Sequence, residues 1–114
     1  VVEEHEIAQG MLFLLENQKL MAEGSGAVST AALLSGKYVP AEGENVVCVI
    51  SGGNVDVNTL YRVIGTALTE EGRRFAFKTM IQDKPGGLAE LTKVVGGLNA
   101  NILNLLLHHK YLFQ

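Results

Sequence analysis

Between residues 3 and 18 apolar side chains recur at the helical period. Ile7, Met11, Leu14 and Leu15 fall at i, i+4, i+7 and i+8, the spacing of one helix face. Glu3, Glu4 and Glu6 crowd the first turn, where the helix dipole favours negative charge. Gly10 weakens the interior and marks a place of close packing. Leu20 to Glu23 predicts a brief strand. Gly24-Ser25-Gly26 breaks the chain, and a helix of small residues is predicted over 27–35, with Gly36 suited to the left-handed position after it. Residues 37–45 hold Pro40 and Gly43 and read as a loop. Val46-Val47-Cys48-Val49-Ile50 is an unbroken apolar run, predicted as a strand buried on both faces. Ser51-Gly52-Gly53-Asn54 turns the chain, and Asn54 or Asp56 can cap the helix predicted over 57–71. Leu60, Val63, Ile64, Ala67 and Leu68 give that helix the cleanest periodic face in the chain.

After Glu70-Glu71-Gly72-Arg73-Arg74 the period changes to two. Phe75, Phe77, Thr79 and Ile81 alternate with Ala76, Lys78 and Met80, which predicts a half-buried strand over 74–82. Gln82 to Gly87 is a turn built on Pro85 and two glycines. A helix over 87–98 would bury Leu88, Leu91, Val95 and Leu98, with Asn99 closing it. Residues 101–109 predict a second strand, with Leu103, Leu105 and Leu107 on one face. The expected fold class is therefore α/β, divided into residues 1–72 and 73–114, with Arg73 and Arg74 on a solvated strand edge. His108 and His109, adjacent on a strand, would point to opposite faces and could not easily share a metal.

Composition narrows the function classes. The 114 residues are 47% apolar with a net charge of −3, enough for a core and too apolar for disorder. No basic block suggests nucleic acid. One cysteine excludes an internal disulfide and any Cys-rich metal site, and Cys48, mid-strand, reads as a small buried hydrophobe. His5, among acids, reads as a surface residue. No apolar run approaches the ~20 residues that span a bilayer, so no membrane partner is expected. The first residues lack the basic start and apolar centre of a signal peptide and lack a methionine. A soluble, cytoplasmic piece of a longer protein is the expectation.

Three blocks are more specific than their geometry. AEGSGAVSTAALLSGK (residues 22–37) and VVCVISGGNVDVNTLYRVI (residues 46–64) resemble, in order, the end of the catalytic domain of pyridoxal-phosphate-dependent threonine/serine dehydratases (ammonia-lyases). The resemblance implies the C-terminal piece of a fold-type-II catalytic domain. It also implies elimination of the β-hydroxyl of threonine or serine, then release of ammonia and a 2-oxo acid. By the family pattern Ser51 would hydrogen-bond the pyridine nitrogen of pyridoxal 5′-phosphate. Gly52, Gly53 and Asn54 would let the backbone pass under the ring, and Glu23 would line the pocket. Each residue has a plainer role too: Ser51 as a turn hydroxyl bonding its own backbone, Glu23 as a helix-start acid. The family's Schiff-base lysine and glycine-rich phosphate loop match nothing here; Lys37 and Lys84 adjoin turns outside any such motif. Without the amine nucleophile this chain alone is expected to be inactive.

KTMIQDKPGGLAELTKVVGGLNANI (residues 78–102) resembles the start of an ACT domain, the small amino-acid-sensing module of many such enzymes. That implies a ferredoxin-like βαβ piece, its second half absent unless residues 110–114 begin a third strand. By that pattern Asp83, Gly86, Gly87 and Leu88 line an effector site, and Asn101 faces it. Asp83 also fits an Asx turn before Pro85, and Ile81 stands where some members carry a polar residue. The implied ligand is a small amino acid: isoleucine, valine, threonine or serine. The implied partner is a second copy, joined through open strand edges. The alternative is a stand-alone ACT-like binding or dimerisation module without catalysis. A nucleotide-phosphate site at Gly52-Gly53 lacks the P-loop lysine.

Overall fold

A computed structural model describes residues 1–108. Expectations placed on His109, and on a third strand within 110–114, lie outside the described residues. Four α-helices form: α1 (Glu4–Phe13), α2 (Gly24–Leu34), α3 (Val57–Glu70) and α4 (Gly87–Gly97), with α1 running on into a π-helical turn, Leu14–Gln18. The chain divides into two compact units, Val1–Ala76 and a second beginning at Phe77.

In the first unit α1 packs against both α2 and α3. The contact with α2 depends on small residues. A Cβ on Gly10 would stand 3.1 Å from the Ala31 Cβ and 3.2 Å from the Ala27 carbonyl oxygen, and both alanines are fully buried. The glycine that costs α1 helix propensity is what lets α2 approach. One apolar cluster joins Met11, Leu14, Ala22 and Ala27, with Ile7, Ile50, Val55, Leu60 and Val63 against it. A second joins Ala8, Leu12 and Ala67, with Val63, Ile64 and Leu68 against it. The periodic face predicted for α3 is the face that packs. On α1, Ala8 and Leu12 join Met11 and Leu14 inside, so its buried face is wider than the sequence pattern.

Polar groups fix the helix ends. The Glu3 N–H donates to the Glu6 carboxylate at 2.6 Å, and Lys37 reaches the same carboxylate at 2.9 Å. Asp56, rather than Asn54, caps α3, its Oδ1 accepting from the Asn58 and Thr59 N–H groups at 3.0 Å each. Gly36 (φ 69°) follows α2 and Asn99 (φ 56°) follows α4 in the left-handed region, as the sequence predicts. The loop after α2 closes through Tyr38, whose hydroxyl donates to Glu44 and whose N–H donates to the Ala32 carbonyl at 3.0 Å.

The α/β expectation is overturned. No strand, and hence no sheet, forms among the described residues. Residues 46–50 are not helical and stay unpaired: Val47 is 83% and Val49 70% exposed, while Cys48 and Ile50 are half-buried. Only Ile50 packs on the first apolar cluster. The brief strand at 20–23 and the strands expected at 74–82 and 101–109 are likewise absent through residue 108. Period-two patterning marks a face, but a strand exists only where a second backbone forms a ladder of hydrogen bonds with it, and no such ladder forms among the described residues. Among the described residues the ferredoxin-like βαβ module is therefore not formed, and they offer no strand edge of the kind expected to join two copies. Among the described residues of the second unit only Gly87 is buried; Met80 is 93% exposed and Leu106 82%.

Arg73 is not on a strand edge. Gly72 turns the chain at φ 68°, and the Arg73 and Arg74 N–H groups both donate to the Leu68 carbonyl. The Arg73 guanidinium then binds Glu16 with two parallel bonds, of 3.0 and 2.9 Å, and also reaches Glu71 at 3.2 Å.

Candidate functional site

Two short segments of the first unit interlock, and they carry most of the residues expected around a cofactor. The first runs from Met21 into the start of α2. Ala22, 2% exposed, anchors it in the core. Glu23 follows in extended conformation as the residue before the helix (φ −76°, ψ 165°). The second segment leaves the core at Ile50 and turns through Ser51-Gly52-Gly53.

Their contact is built on missing side chains. The Glu23 N–H donates to the Gly52 carbonyl at 3.0 Å. A Cβ on Gly26 would lie 2.6 Å from that same carbonyl oxygen, and one on Gly52 would lie 2.6 Å from the Glu23 Oε1. A Cβ on Gly53 would run into the Met21 carbonyl oxygen. Real Cβ atoms do not come that close, and at Gly26 and Gly53 the obstacle is backbone, so both positions require glycine while the segments stay this close; at Gly52 it is the end of the Glu23 side chain, which can swing away. The Gly53 carbonyl accepts from the Val55 N–H at 3.0 Å, which closes the turn ahead of the Asp56 cap. Thr59, through its side chain and then its N–H, holds the Asp56 carboxyl below the usual carboxylate range, with the Asn58 N–H adding to the effect.

Polar groups sit on this scaffold. Ser25 Oγ donates to Glu23 Oε1 at 2.8 Å, which fixes the carboxylate against the Gly52 backbone. Ser51 and Asn54 are exposed at the turn, and Gly52 is half-buried. The structure thus joins Glu23 to Gly52 directly and sets Gly53 against the Met21 carbonyl, with Ser51 next to them in the turn. It gives Gly52 and Gly53 a different task from the one expected, since they admit the Met21–Glu23 segment. The contacts that Ser25, Gly26 and the Met21 carbonyl make with this wall were not foreseen. The Gly-Ser-Gly triplet reads as a chain break, whereas α2 begins at Gly24 and includes all three residues.

The donor set fits one edge of pyridoxal phosphate. It offers a hydroxyl suited to a ring nitrogen and a tethered carboxylate lying against the Gly52 backbone. It supplies no amine in the Schiff-base pattern and no phosphate loop.

In the second unit the Gln82–Gly87 turn closes by two bonds, Lys84 N–H to the Gln82 carbonyl at 2.9 Å and Gly87 N–H to the Lys84 carbonyl at 3.1 Å. Gly86 is left-handed (φ 90°). A Cβ on Gly87 would stand 2.8 Å from the Gln82 carbonyl oxygen. A shallow depression of about 270 Å³ lies beside this turn, lined by Ile81, Gln82, Lys84, Gly87, Glu90 and Leu91 among others. Of the effector residues expected here only Gly87 lines it. Asp83 and Asn101 are exposed and Leu88 is half-buried. No group of three metal-binding side chains occurs among the described residues. No helix among them is long and apolar enough to cross a membrane.

Comparison with known proteins agrees with the family resemblance. The chain is 46% identical over 104 residues to the L-threonine ammonia-lyase of Thermotoga maritima, covering 91% of this chain and 25% of that protein. It is 44% identical over 102 residues to the L-threonine ammonia-lyase of Geobacter sulfurreducens, 90% of this chain and 25% of the relative. It is 37% identical over 101 residues to the biosynthetic L-threonine dehydratase of Mycobacterium tuberculosis, 89% of this chain and 23% of the relative. The chain thus spans about a quarter of the length of these relatives. No family model matches it, and no solved structure does.

Proposed function

We propose, from the premise that the chain is a relative of the threonine ammonia-lyases over about a quarter of their length, that its first unit forms one wall of a pyridoxal-phosphate pocket in such an enzyme. The reaction is deamination of L-threonine or L-serine to a 2-oxo acid and ammonia. The observation that carries this reading is the interlock of Met21–Gly26 with Ser51–Gly53, in which three glycines seat an exposed serine beside a tethered glutamate.

The cofactor, when bound, supplies the electron sink for β-elimination. The chain's own residues hold and orient it. Ser51 presents a neutral hydroxyl to the ring nitrogen; unlike a carboxylate, a hydroxyl does not force that nitrogen to stay protonated. Glu23, held by Ser25, shapes the neighbouring edge of the pocket. Covalent attachment needs an amine nucleophile from elsewhere.

The test is a chimera. The matching quarter of the Thermotoga maritima enzyme is replaced by this sequence, and threonine deamination is followed with the cofactor's absorbance. Activity in the chimera, with a shifted cofactor spectrum and reduced turnover for Ser51→Ala, is the expected result. A folded chimera whose spectrum and rate ignore Ser51→Ala refutes the assignment. The 114-residue chain by itself is expected to show neither Schiff-base absorbance nor turnover.

The second unit is assigned a small-amino-acid site at Asp83, Gly86, Gly87 and Leu88, with Asn101 contributing. Support comes from Gly87 alone, which lines the depression beside the Gln82–Gly87 turn; the other four rest on the family pattern. Calorimetry with isoleucine, valine, threonine and serine tests it: heat from one of them is expected, and silence from all four removes the site.

A further inference from the structure

We propose that Arg73 is a positioning residue for the Glu23–Ser51 wall, acting through Glu16 and the π-helical turn. The claim rests on the pocket assignment above only for what the wall is used for.

Most exposed ion pairs hold nothing in place, because two long side chains lose as much freedom as their attraction returns. This one differs in three respects. It is a two-bond fork, 3.0 and 2.9 Å, which fixes orientation as well as distance. Its partners are 57 residues apart in sequence, so it ties the chain just past α3 to the end of α1. And its carboxylate sits inside a π-helical turn, a geometry that persists only where its surroundings hold it.

Three hydrogen bonds hold that turn, Leu14–Gln18, at its ends and along its exposed face. The Leu20 N–H donates to the Leu14 carbonyl at 3.2 Å. Asn17 Nδ2 donates to the Phe13 carbonyl at 3.0 Å, and Lys19 donates to the Glu16 carbonyl. Lys19 itself is left-handed, φ 57°, a conformation that costs a residue with a Cβ about 1 kcal/mol. Only three residues then separate Lys19 from Glu23.

Packing completes the path. Leu14, from the same turn, is buried in one cluster with Ala22, and Ile50 packs against that cluster. Ala22 immediately precedes Glu23, and Ile50 immediately precedes Ser51. A shift of the π turn therefore moves both residues that anchor the wall. Arg73 also keeps the Glu16 carboxyl charged, chiefly by its hydrogen bonds, holding it below the usual glutamate range.

Amide hydrogen exchange on the full chain tests this directly. The Glu23 N–H, bonded to the Gly52 carbonyl, reports the wall. The Tyr38 N–H, bonded to Ala32 beyond the far end of α2, reports general loosening of the unit. In Arg73→Met and in Glu16→Gln the ratio of Glu23 to Tyr38 exchange is expected to rise by up to about fivefold, the upper end of the range open to an exposed ion pair. Arg73→Lys, which keeps the charge and loses the fork, is expected to fall between wild type and Arg73→Met. The exchanged pair Glu16→Arg with Arg73→Glu is expected to restore most of the protection. A ratio unchanged in both Arg73→Met and Glu16→Gln overturns the proposal, as does an equal rise at both amides. The readout is an amide, so failure of the cofactor assignment would leave this result standing, and the reverse also holds.

Discussion

Replacing Gly26 with alanine sets two effects of known size against each other. Alanine is the better helix former by about 1 kcal/mol, and Gly26 lies inside α2, so propensity alone predicts a more stable protein. The added methyl would, however, stand 2.6 Å from the Gly52 carbonyl oxygen and 3.1 Å from the Gly52 nitrogen. Both are backbone atoms, which cannot swing aside as a flexible side chain can. Relief requires the Ser51–Gly53 turn to back away, which breaks the Glu23 N–H bond to Gly52. Forced overpacking costs about 1–3 kcal/mol, and the lost hydrogen bond about 0.5–1.5 kcal/mol more. After the propensity gain the expected loss is about 0.5–3.5 kcal/mol. Gly24→Ala is the matched control, two residues away on the same helix. Its methyl meets only the Ile7 Cγ2 at 3.6 Å, an ordinary contact, so it should be neutral or stabilising by up to about 1 kcal/mol. Urea denaturation followed by circular dichroism measures both. If Gly26→Ala proves as stable as Gly24→Ala, the interlock of the two segments is wrong.

Three further outcomes follow from other parts of the fold. Leu12→Ala should destabilise by about 2–5 kcal/mol, because Leu12 is 3% exposed between α1 and α3; a loss under about 1 kcal/mol in a urea titration contradicts that packing. Val47→Lys should change stability by no more than about 0.5 kcal/mol, since Val47 is 83% exposed; collapse of the protein would instead mean that residues 46–50 are buried on both sides. Lowering the pH should weaken the fold. Glu6 is held below its usual range by the Glu3 N–H and Lys37, and Glu16 by Arg73. A carboxyl with a depressed folded pKa stabilises fully above its unfolded pKa and loses that contribution as pH falls through the folded one. Melting temperature should therefore be flat from neutrality down to the ordinary glutamate range and fall below it; a rise on acidification contradicts both contacts.

Helices were legible because their determinants are local. The face of Leu60, Val63, Ile64, Ala67 and Leu68, the Asp56 cap and the left-handed Gly36 and Asn99 each follow from neighbours within a few residues. Gly10 was legible as close packing, but its partners Ala27 and Ala31 were not. The absence of strands was not legible, because the apolar run Val46 to Ile50 and the alternation of Phe75 to Ile81 mark faces without naming a hydrogen-bonding partner. At the candidate site the residue types around Ser51 and Glu23 were recognisable by family resemblance. The interlock was not, since a glycine in sequence does not say which distant carbonyl it makes room for. Arg73 looked like surface charge for the same reason: its partner Glu16 is 57 residues earlier.

The exposure of the second unit has a calorimetric consequence. Phe77, Met80, Leu98 and Leu106 already stand largely in water, so melting that part of the chain transfers little more hydrocarbon to solvent. The heat-capacity increment of denaturation arises from such transfer. Here it would come almost wholly from the unit ending at Ala76, about 1 kcal/mol/K at the usual increment per residue. A thermogram of this chain would have the curvature of a distinctly shorter protein.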